Sequence, residues 1–303
     1  MKILITGANG LLGHKLVRLL GPKREVVVIA TARGESRLRP EYGSFQYESM
    51  DIANREDVLE IVGRHKPDVI INTAAMTNVD ECEKEKEACM QLNVEAVKYL
   101  VEAAEQTNAF LLHLSTDFIF SGEEGPYDEQ GVPAPVNFYG ESKLLGEQVV
   151  MNSNIKWAIA RTVLVFGIVP DMSRSNIILW VKGSLEAQKP IQVVDDQWRT
   201  PTLAEDLAMG CYLIAEQRAE GIYNISGQDM LTPYEMAIKT ADFFGLDKSL
   251  ITRTDSTKFT QPAKRPPRTG FIIEKAKTNL GYQPHSFDEG IRIVAEQAAN
   301  VVS

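Results

Sequence analysis

The chain has 303 residues, 44% hydrophobic and 24% charged, with 21 glycines and 14 prolines. That length buries a large core without disulfides or metals, as roughly two domains or one large α/β unit with an appendage. Its 32 Lys and Arg against 41 Asp and Glu leave a net charge of −9, which argues against a nucleic-acid partner. No apolar run approaches the roughly 20 residues that span a bilayer, so no membrane is expected.

Short apolar runs alternate with amphipathic stretches from the first residue onward. Lys2–Thr6, Glu25–Ala30, Phe45–Glu48, Val69–Thr73, Phe110–Ser115 and Trp157–Thr162 read as strands, most of them buried on both faces. Leu12–Leu20, Arg55–Arg64, Glu87–Gln106 and Lys143–Met151 read as helices, with Gly21-Pro22 and Lys66-Pro67 as stops. Alternation of this kind predicts a doubly wound parallel α/β sheet of the Rossmann type. After Arg161 the rhythm breaks. Helix Leu203–Glu216 and strand Gly221–Ile225 return to the sheet, between irregular stretches at 167–201 and 226–284. The expected organisation is a dinucleotide-binding domain at 1–165, completed by 203–225. A smaller, discontinuous α/β substrate lobe takes 166–202 and 226–303.

The first strand runs into Gly7-Ala8-Asn9-Gly10-Leu11-Leu12-Gly13. A glycine-rich strand-to-helix turn lets backbone N–H groups approach a pyrophosphate, although the spacing is G-x-x-G-x-x-G rather than G-x-G-x-x-G. The second strand leads to Arg33, with no acid before Glu35. An arginine there accommodates a ribose 2′-phosphate, which favours NADP(H) over NAD(H). Asp51, followed by Ile52, is placed to accept from an adenine amino group, and Ala74, Ala75 and Thr77 leave room over the fourth strand's end.

Thr116 and Asp117 close the fifth strand, and Tyr139 and Lys143 open the next helix. Their i,i+4 spacing puts Tyr139 and Lys143 on one face, where an ammonium is expected to lower the phenol's pKa for proton transfer. The Thr116 hydroxyl would hold a substrate carbonyl oxygen.

In this order the residues resemble the extended short-chain dehydrogenase/reductase family, and most closely its dTDP-4-dehydrorhamnose reductases, over nearly the whole chain. The likeness rests on the Gly7–Gly13 loop, Asn72–Asp80, Ser115–Gly122, Pro135–Lys143, Asp196-Gln197 with Pro201-Thr202, and Pro262–Pro266. It implies Thr116, Tyr139 and Lys143 as the catalytic group and hydride delivery from NAD(P)H to a nucleotide-linked 4-keto-6-deoxysugar. Lys143 would also hold the nicotinamide ribose. Leu164, where family reductases often carry tryptophan, and Trp198-Arg199-Thr200, bulkier than usual before Pro-Thr, depart from the pattern in the substrate region.

From Arg253 to Lys277 seven basic residues face two acids. That patch suits a nucleotide diphosphate, with Arg265 and Arg268 as the expected contacts beside Thr116, Asp117 and Arg199. The acidic run Asp80–Glu87 reads as the solvated start of the long helix rather than a cation site, and no metal is expected. In that helix Val94, Val97, Leu100, Val101 and Ala104 form a stripe for core packing, with a homodimer interface as its other use. His14, His65, His113 and His285 have no ligand spacing, and His113 reads as a core residue.

Two other functions compete. A dehydratase or epimerase shares the scaffold, but dehydratases follow the threonine with Asp-Glu, and here Phe118 follows Asp117. The chain also resembles the regulatory β subunit of methionine adenosyltransferase, which would bind a partner without turnover. Cys82, Cys89 and Cys211 are odd in number and read as reduced thiols. Met1–Gly7 is too short for a signal peptide, so the cytoplasm is expected.

Overall fold

The structure, a computed structural model, describes residues 1–170, 176–259 and 261–302. Residues 171–175 of the irregular stretch at 167–201 lie outside the described residues. In chain order the strands are β1 (Lys2–Thr6), β2 (Val27–Ala32), β3 (Gln46–Ser49), β4 (Val69–Asn72), β5 (Phe110–Thr116), β6 (Trp157–Thr162), β7 (Val165–Phe166), β8 (Ile191–Val194), β9 (Thr202–Leu203), β10 (Gly221–Asn224) and β11 (Ile251–Thr254). The helices are α1 (Leu11–Leu20), α2 (Arg55–His65), α3 (Val79–Lys84), α4 (Lys86–Met90), α5 (Ala96–Thr107), α6 (Phe138–Met151), α7 (Ile177–Glu186), α8 (Ala204–Gln217), α9 (Pro233–Phe244), α10 (Glu274–Leu280) and α11 (Phe287–Val302).

Seven strands form one parallel sheet in the order β10-β6-β5-β4-β1-β2-β3. The order reverses at β1, between β2 and β4, and ligands of such sheets lie outside the carboxyl ends there. Apolar side chains on both faces of the strands require cover on both sides. On one face Ile3 and Ile5 pack with Leu16, Val17 and Leu20 of α1 and Leu207, Cys211 and Ile214 of α8. On the other, Leu4 and Ile70 pack with Val58 and Ile61 of α2 and Val97 and Leu100 of α5. Beyond the sheet, β8 pairs with β11, and Val181 and Leu185 of α7 meet Ala237 and Ala241 of α9 above Ile191 and Val193. The short pair β7–β9 sits beside α11, where Phe166, Leu203, Phe287 and Ile291 form a further cluster.

Four expected elements differ in ways that matter. The second strand starts at Val27, not Glu25, because Val26 closes a turn onto Lys23 and the register with β1 begins at Lys2↔Val27. It therefore reaches Ala32 and delivers Arg33 to the carboxyl edge. The expected helix Glu87–Gln106 is α4, a π-helical turn at Gln91–Glu95, and α5. Asn93 in that turn donates to Ser142 Oγ (2.9 Å) and to the Met76 carbonyl (3.0 Å) and accepts from Met76 N–H (2.8 Å). A widened turn at such a junction often marks a functional site. The helix expected from Lys143 begins at Phe138, because Asn137 caps it by accepting from Gly140 N–H at 2.8 Å. That cap is worth about 1 kcal/mol and sets Tyr139 in the first turn. The acidic run is likewise no single helix start: it spans α3 and the break at Glu85. Of the stripe residues, Val94, Val97, Leu100 and Ala104 are buried and Val101 is half-buried, as core packing requires.

Candidate active site

The glycine loop is shaped for close backbone approach. Gly7 has φ +67°, and a Cβ there would lie 2.8 Å from Thr73 Oγ1. Gly10 caps α1 without a side chain, so its first N–H groups face outward, where a phosphate is favoured. A Cβ on Gly13 would sit 2.4 Å from the Gly7 carbonyl and 2.5 Å from Ala8 Cα. Gly13 is what lets α1 pack onto the loop, so the residues present fit a dinucleotide's pyrophosphate. Gly13→Ala is expected to destabilise the protein by about 1–3 kcal/mol through overpacking, read by urea unfolding, and to weaken cofactor binding with it.

Around this loop stand the other expected cofactor residues. Leu11 and Leu12 open α1, both half-buried. Arg33 is exposed. Asp51 accepts from Ala53 N–H at 2.9 Å and Ile52 is buried. Ala74 and Ala75 are half-buried and Thr77 is exposed. Arg37, not singled out from the sequence, is exposed in the same segment as Arg33. Its N–H donates to Asn9 Oδ1 (2.9 Å), and Asn9 in turn donates to the Glu35 carbonyl (2.9 Å). Asn9 thus ties the segment after β2 to the phosphate loop. The available signal was three arginines, Arg33, Arg37 and Arg39, directly after the strand.

Thr116, Tyr139 and Lys143 come together at the end of β5 and the start of α6. All three are buried, Tyr139 at 8% and Lys143 at 3% exposure. The Thr116 hydroxyl donates to Asp117 Oδ1 (3.1 Å), accepts from Phe118 N–H (3.2 Å), and is hydrogen-bonded with the Tyr139 phenol. The Tyr139 ring stands edge-on to Phe118 at 5.9 Å. Lys143 Nζ donates to the Leu114 carbonyl at 2.7 Å. Burial pulls the lysine down to about 8, opposed by the Glu147 carboxylate one turn on. The same burial pushes the Tyr139 phenol up, opposed by Thr116. This corrects the expectation that the ammonium lowers the phenol: Lys143 is drawn to Leu114, desolvation dominates at Tyr139, and the tyrosine is held protonated.

Asp117 is buried where the sheet meets the segments around 199 and 269. Its carboxylate accepts from the Thr269 hydroxyl, and Arg199 Nε lies 3.8 Å away. Burial raises its pKa and Arg199 opposes the rise. Arg199, expected at the substrate, is itself buried at 4% exposure and donates to the carbonyls of Trp198 (2.7 Å) and Pro266 (2.7 Å). Arg265, expected with Arg268 as a phosphate contact, forms a two-pronged ion pair with Asp80 at 2.6 and 2.8 Å. Arg268 is exposed. The basic stretch is therefore partly spent on pairs: Arg253 with Asp195, Lys277 with Glu274, and Lys275 on the Ile222 carbonyl. Leu164 and Trp198, the two departures, are 44% and 38% exposed.

Known proteins bear on this geometry. The family model described as RmlD substrate binding domain matches residues 1–300. Methionine adenosyltransferase 2 subunit beta of Mus musculus is 32% identical over 297 residues, covering 96% of this chain and 86% of that protein. A dTDP-4-dehydrorhamnose reductase of Aggregatibacter actinomycetemcomitans is 30% identical over 98% of this chain and 99% of its own. Among solved structures, dTDP-4-dehydrorhamnose reductase of Bacillus anthracis in complex with NADP superimposes with TM-score 0.83 at 28% identity, covering 98% and 99% of the two chains.

Proposed function

Because this chain belongs to the RmlD substrate-binding domain family, we propose that it is an NAD(P)H-dependent reductase of a nucleotide-linked 4-keto-6-deoxysugar, similar to the dTDP-4-dehydrorhamnose reductases. The observation that carries the reading is the buried set Thr116, Tyr139 and Lys143 at the carboxyl edge of the sheet that also presents the uncapped α1. The relatives named as reductases agree with it. The cofactor, when bound, supplies a hydride. Gly7, Gly10 and Gly13 give its phosphates backbone contact. Thr116 holds the substrate carbonyl oxygen as charge develops there. Tyr139 transfers its phenolic proton to that oxygen, and Lys143 restores the proton to Tyr139. The sugar nucleotide would be held by the lobe at 166–202 and 226–303, with Arg268 as its free phosphate contact.

Reduction consumes a proton, so Lys143 must start as the ammonium. With Lys143 held near about 8, turnover is expected to fall as pH rises through about 8, since the proton store empties above that value. A pH profile of kcat checks this, and a rate that is flat to pH well above 8 contradicts it.

The cofactor is proposed to be NADP(H), because Arg33 and Arg37 stand exposed beyond β2. Arg33→Ala is expected to weaken NADPH binding by about 1.5–3 kcal/mol, the worth of a charged hydrogen bond, and to leave NADH unchanged. Fluorescence titration of both cofactors decides it, and equal loss for the two would remove Arg33 from the 2′-phosphate.

The activity test is steady-state oxidation of NADPH with dTDP-linked 4-keto-6-deoxysugar. Oxidation dependent on the sugar supports the reading. Tight NADPH binding with no oxidation, across a panel of such nucleotides, would favour the alternative of a non-catalytic regulatory subunit, in keeping with the relative named methionine adenosyltransferase 2 subunit beta. Phe118, packed on Tyr139, occupies the position where a dehydratase carries its acid.

A further inference from the structure

Three neighbouring strands carry polar residues in one register. Thr6 of β1 lies opposite Asn72 of β4, and Asn72 lies opposite His113 of β5. All three are buried, at 0%, 2% and 1% exposure. A buried polar row running in from the carboxyl ends of the central strands is costly unless each atom is satisfied, so the hydrogen-bond directions are constrained. The Ala74 N–H donates to Thr6 Oγ1 at 3.3 Å. The Thr6 hydroxyl proton is therefore free for Asn72 Oδ1, 2.6 Å away. With Oδ1 engaged, the Asn72 amide turns its N–H toward His113 Nδ1, at 3.0 Å. His113 Nδ1 must then be the acceptor. A neutral imidazole that accepts at Nδ1 carries its proton on Nε2.

His113 Nε2 faces Lys143 Nζ at 3.5 Å. The close approach is built into α6, since a Cβ on Gly146 would lie 3.4 Å from His113 Nε2 and 2.6 Å from the Asn93 carbonyl. An N–H aimed at an ammonium is repulsive, whereas the same N–H aimed at a neutral amine is a hydrogen bond. From these directions we infer that Thr6, Asn72 and His113 form a directed relay, running from the cofactor edge of the sheet to Lys143, that favours release of the lysine's proton. His113 is thus a positioning residue for the proton step, acting through Lys143. This rests on the proposed reductase reading for its consequence in turnover, but not for its existence.

The other charged and titratable groups facing Lys143 come from every element packed on it. Glu147 on its own helix favours the ammonium, tempered by its pairing with Arg161 of β6. Cys89 of α4 and Cys82 of α3 act in the same sense as Glu147. Burial keeps His113 uncharged, well below its ordinary range, with Lys143 adding to the effect. His113 is therefore the neighbour whose proton position, rather than charge, acts on the lysine.

The direct test is the tautomer of His113 in the intact protein, by ¹⁵N-resolved NMR of the histidine ring across the pH range in which the protein is folded. The inference expects a neutral Nε2–H ring from mildly acidic to alkaline pH. An Nδ1–H ring, or an imidazolium, overturns it, whatever the activity. The second arm is Asn72→Asp, nearly isosteric. A carboxylate keeps the Thr6 contact but accepts from His113, which moves the ring proton to Nδ1 and turns the Nε2 lone pair toward Lys143. In this variant the alkaline limb of kcat is expected to move up by about one unit or more. A reversed tautomer with an unmoved limb would sever His113 from the proton step. If no substrate is turned over at all, the reductase reading fails while the tautomer result still stands or falls alone.

Discussion

Tyr139→Phe is expected to lower kcat for ketosugar reduction by about 10²- to 10⁴-fold, the usual worth of a positioned general acid. Its unfolding free energy and NADPH affinity should stay close to those of the unaltered protein. The ring, not the hydroxyl, holds the residue in place. It stands edge-on to Phe118 and packs in the cluster of Cys82 and Cys89 with Met76 and Val79. Phenylalanine keeps all of those contacts. The hydroxyl's partner is Thr116, which retains Asp117 and Phe118 N–H as alternatives, so no buried group is orphaned and the structural cost is about 1 kcal/mol or less. A large kinetic loss without a stability loss is the signature of a group that acts on substrate. Unaltered turnover in Tyr139→Phe would mean that the proton reaches the sugar oxygen by another route, with the buried acid Asp117 the nearest candidate.

The parts of this site that could be read from the sequence are those whose chemistry is local. A glycine triplet after an apolar strand needs only seven consecutive residues to be visible. The Tyr139/Lys143 pair needs only the helical period. The sheet was readable for a related reason, since strands buried on both faces leave unbroken apolar runs such as Phe110–Leu112. What could not be read is pairing between distant segments. The fate of Arg265 depends on Asp80, 185 positions away, and that of Arg199 on carbonyls at Pro266 and Pro267. Arg265 looked like a free phosphate contact because a charge count assigns no partners, and Arg199, placed at the substrate, gave no sign that it would be buried. The lowering of the Tyr139 phenol by the Lys143 ammonium was expected from proximity alone. Burial reverses it, and burial is a property of the whole fold. The break in the helix at Gln91–Glu95 was hidden because its apolar stripe continues through Val94 and Val97 without a change of period. Only Asn93, a polar residue on the buried face, marked the spot.

The largest stability effect is expected at Arg161. Its guanidinium forms a two-pronged pair with Glu147, at 3.0 and 2.7 Å, with side-chain exposures of 3% and 0%. Arg161 also donates to the Glu129 carbonyl (3.3 Å) and lies over the Phe120 ring. Strand β6 holds it between β5 and β10 at Ser115↔Arg161↔Asn224, directly beneath α6. Arg161→Met leaves the Glu147 carboxylate buried without a partner, which typically costs about 3–5 kcal/mol. Removing both charges in Arg161→Met/Glu147→Leu should recover most of that loss, because the penalty belongs to the unpaired charge rather than to the missing contact. Urea unfolding of the two single variants and the double variant measures the coupling directly. The pair also reaches the chemistry. Freed of Arg161, the Glu147 carboxylate acts undiminished on Lys143 and favours its ammonium, so the alkaline limb of kcat should move upward in Arg161→Met and downward in Glu147→Gln. A single variant that unfolds within about 1 kcal/mol of the unaltered protein would mean that water reaches Glu147, and the buried pair would then be a poor lever on the lysine it faces.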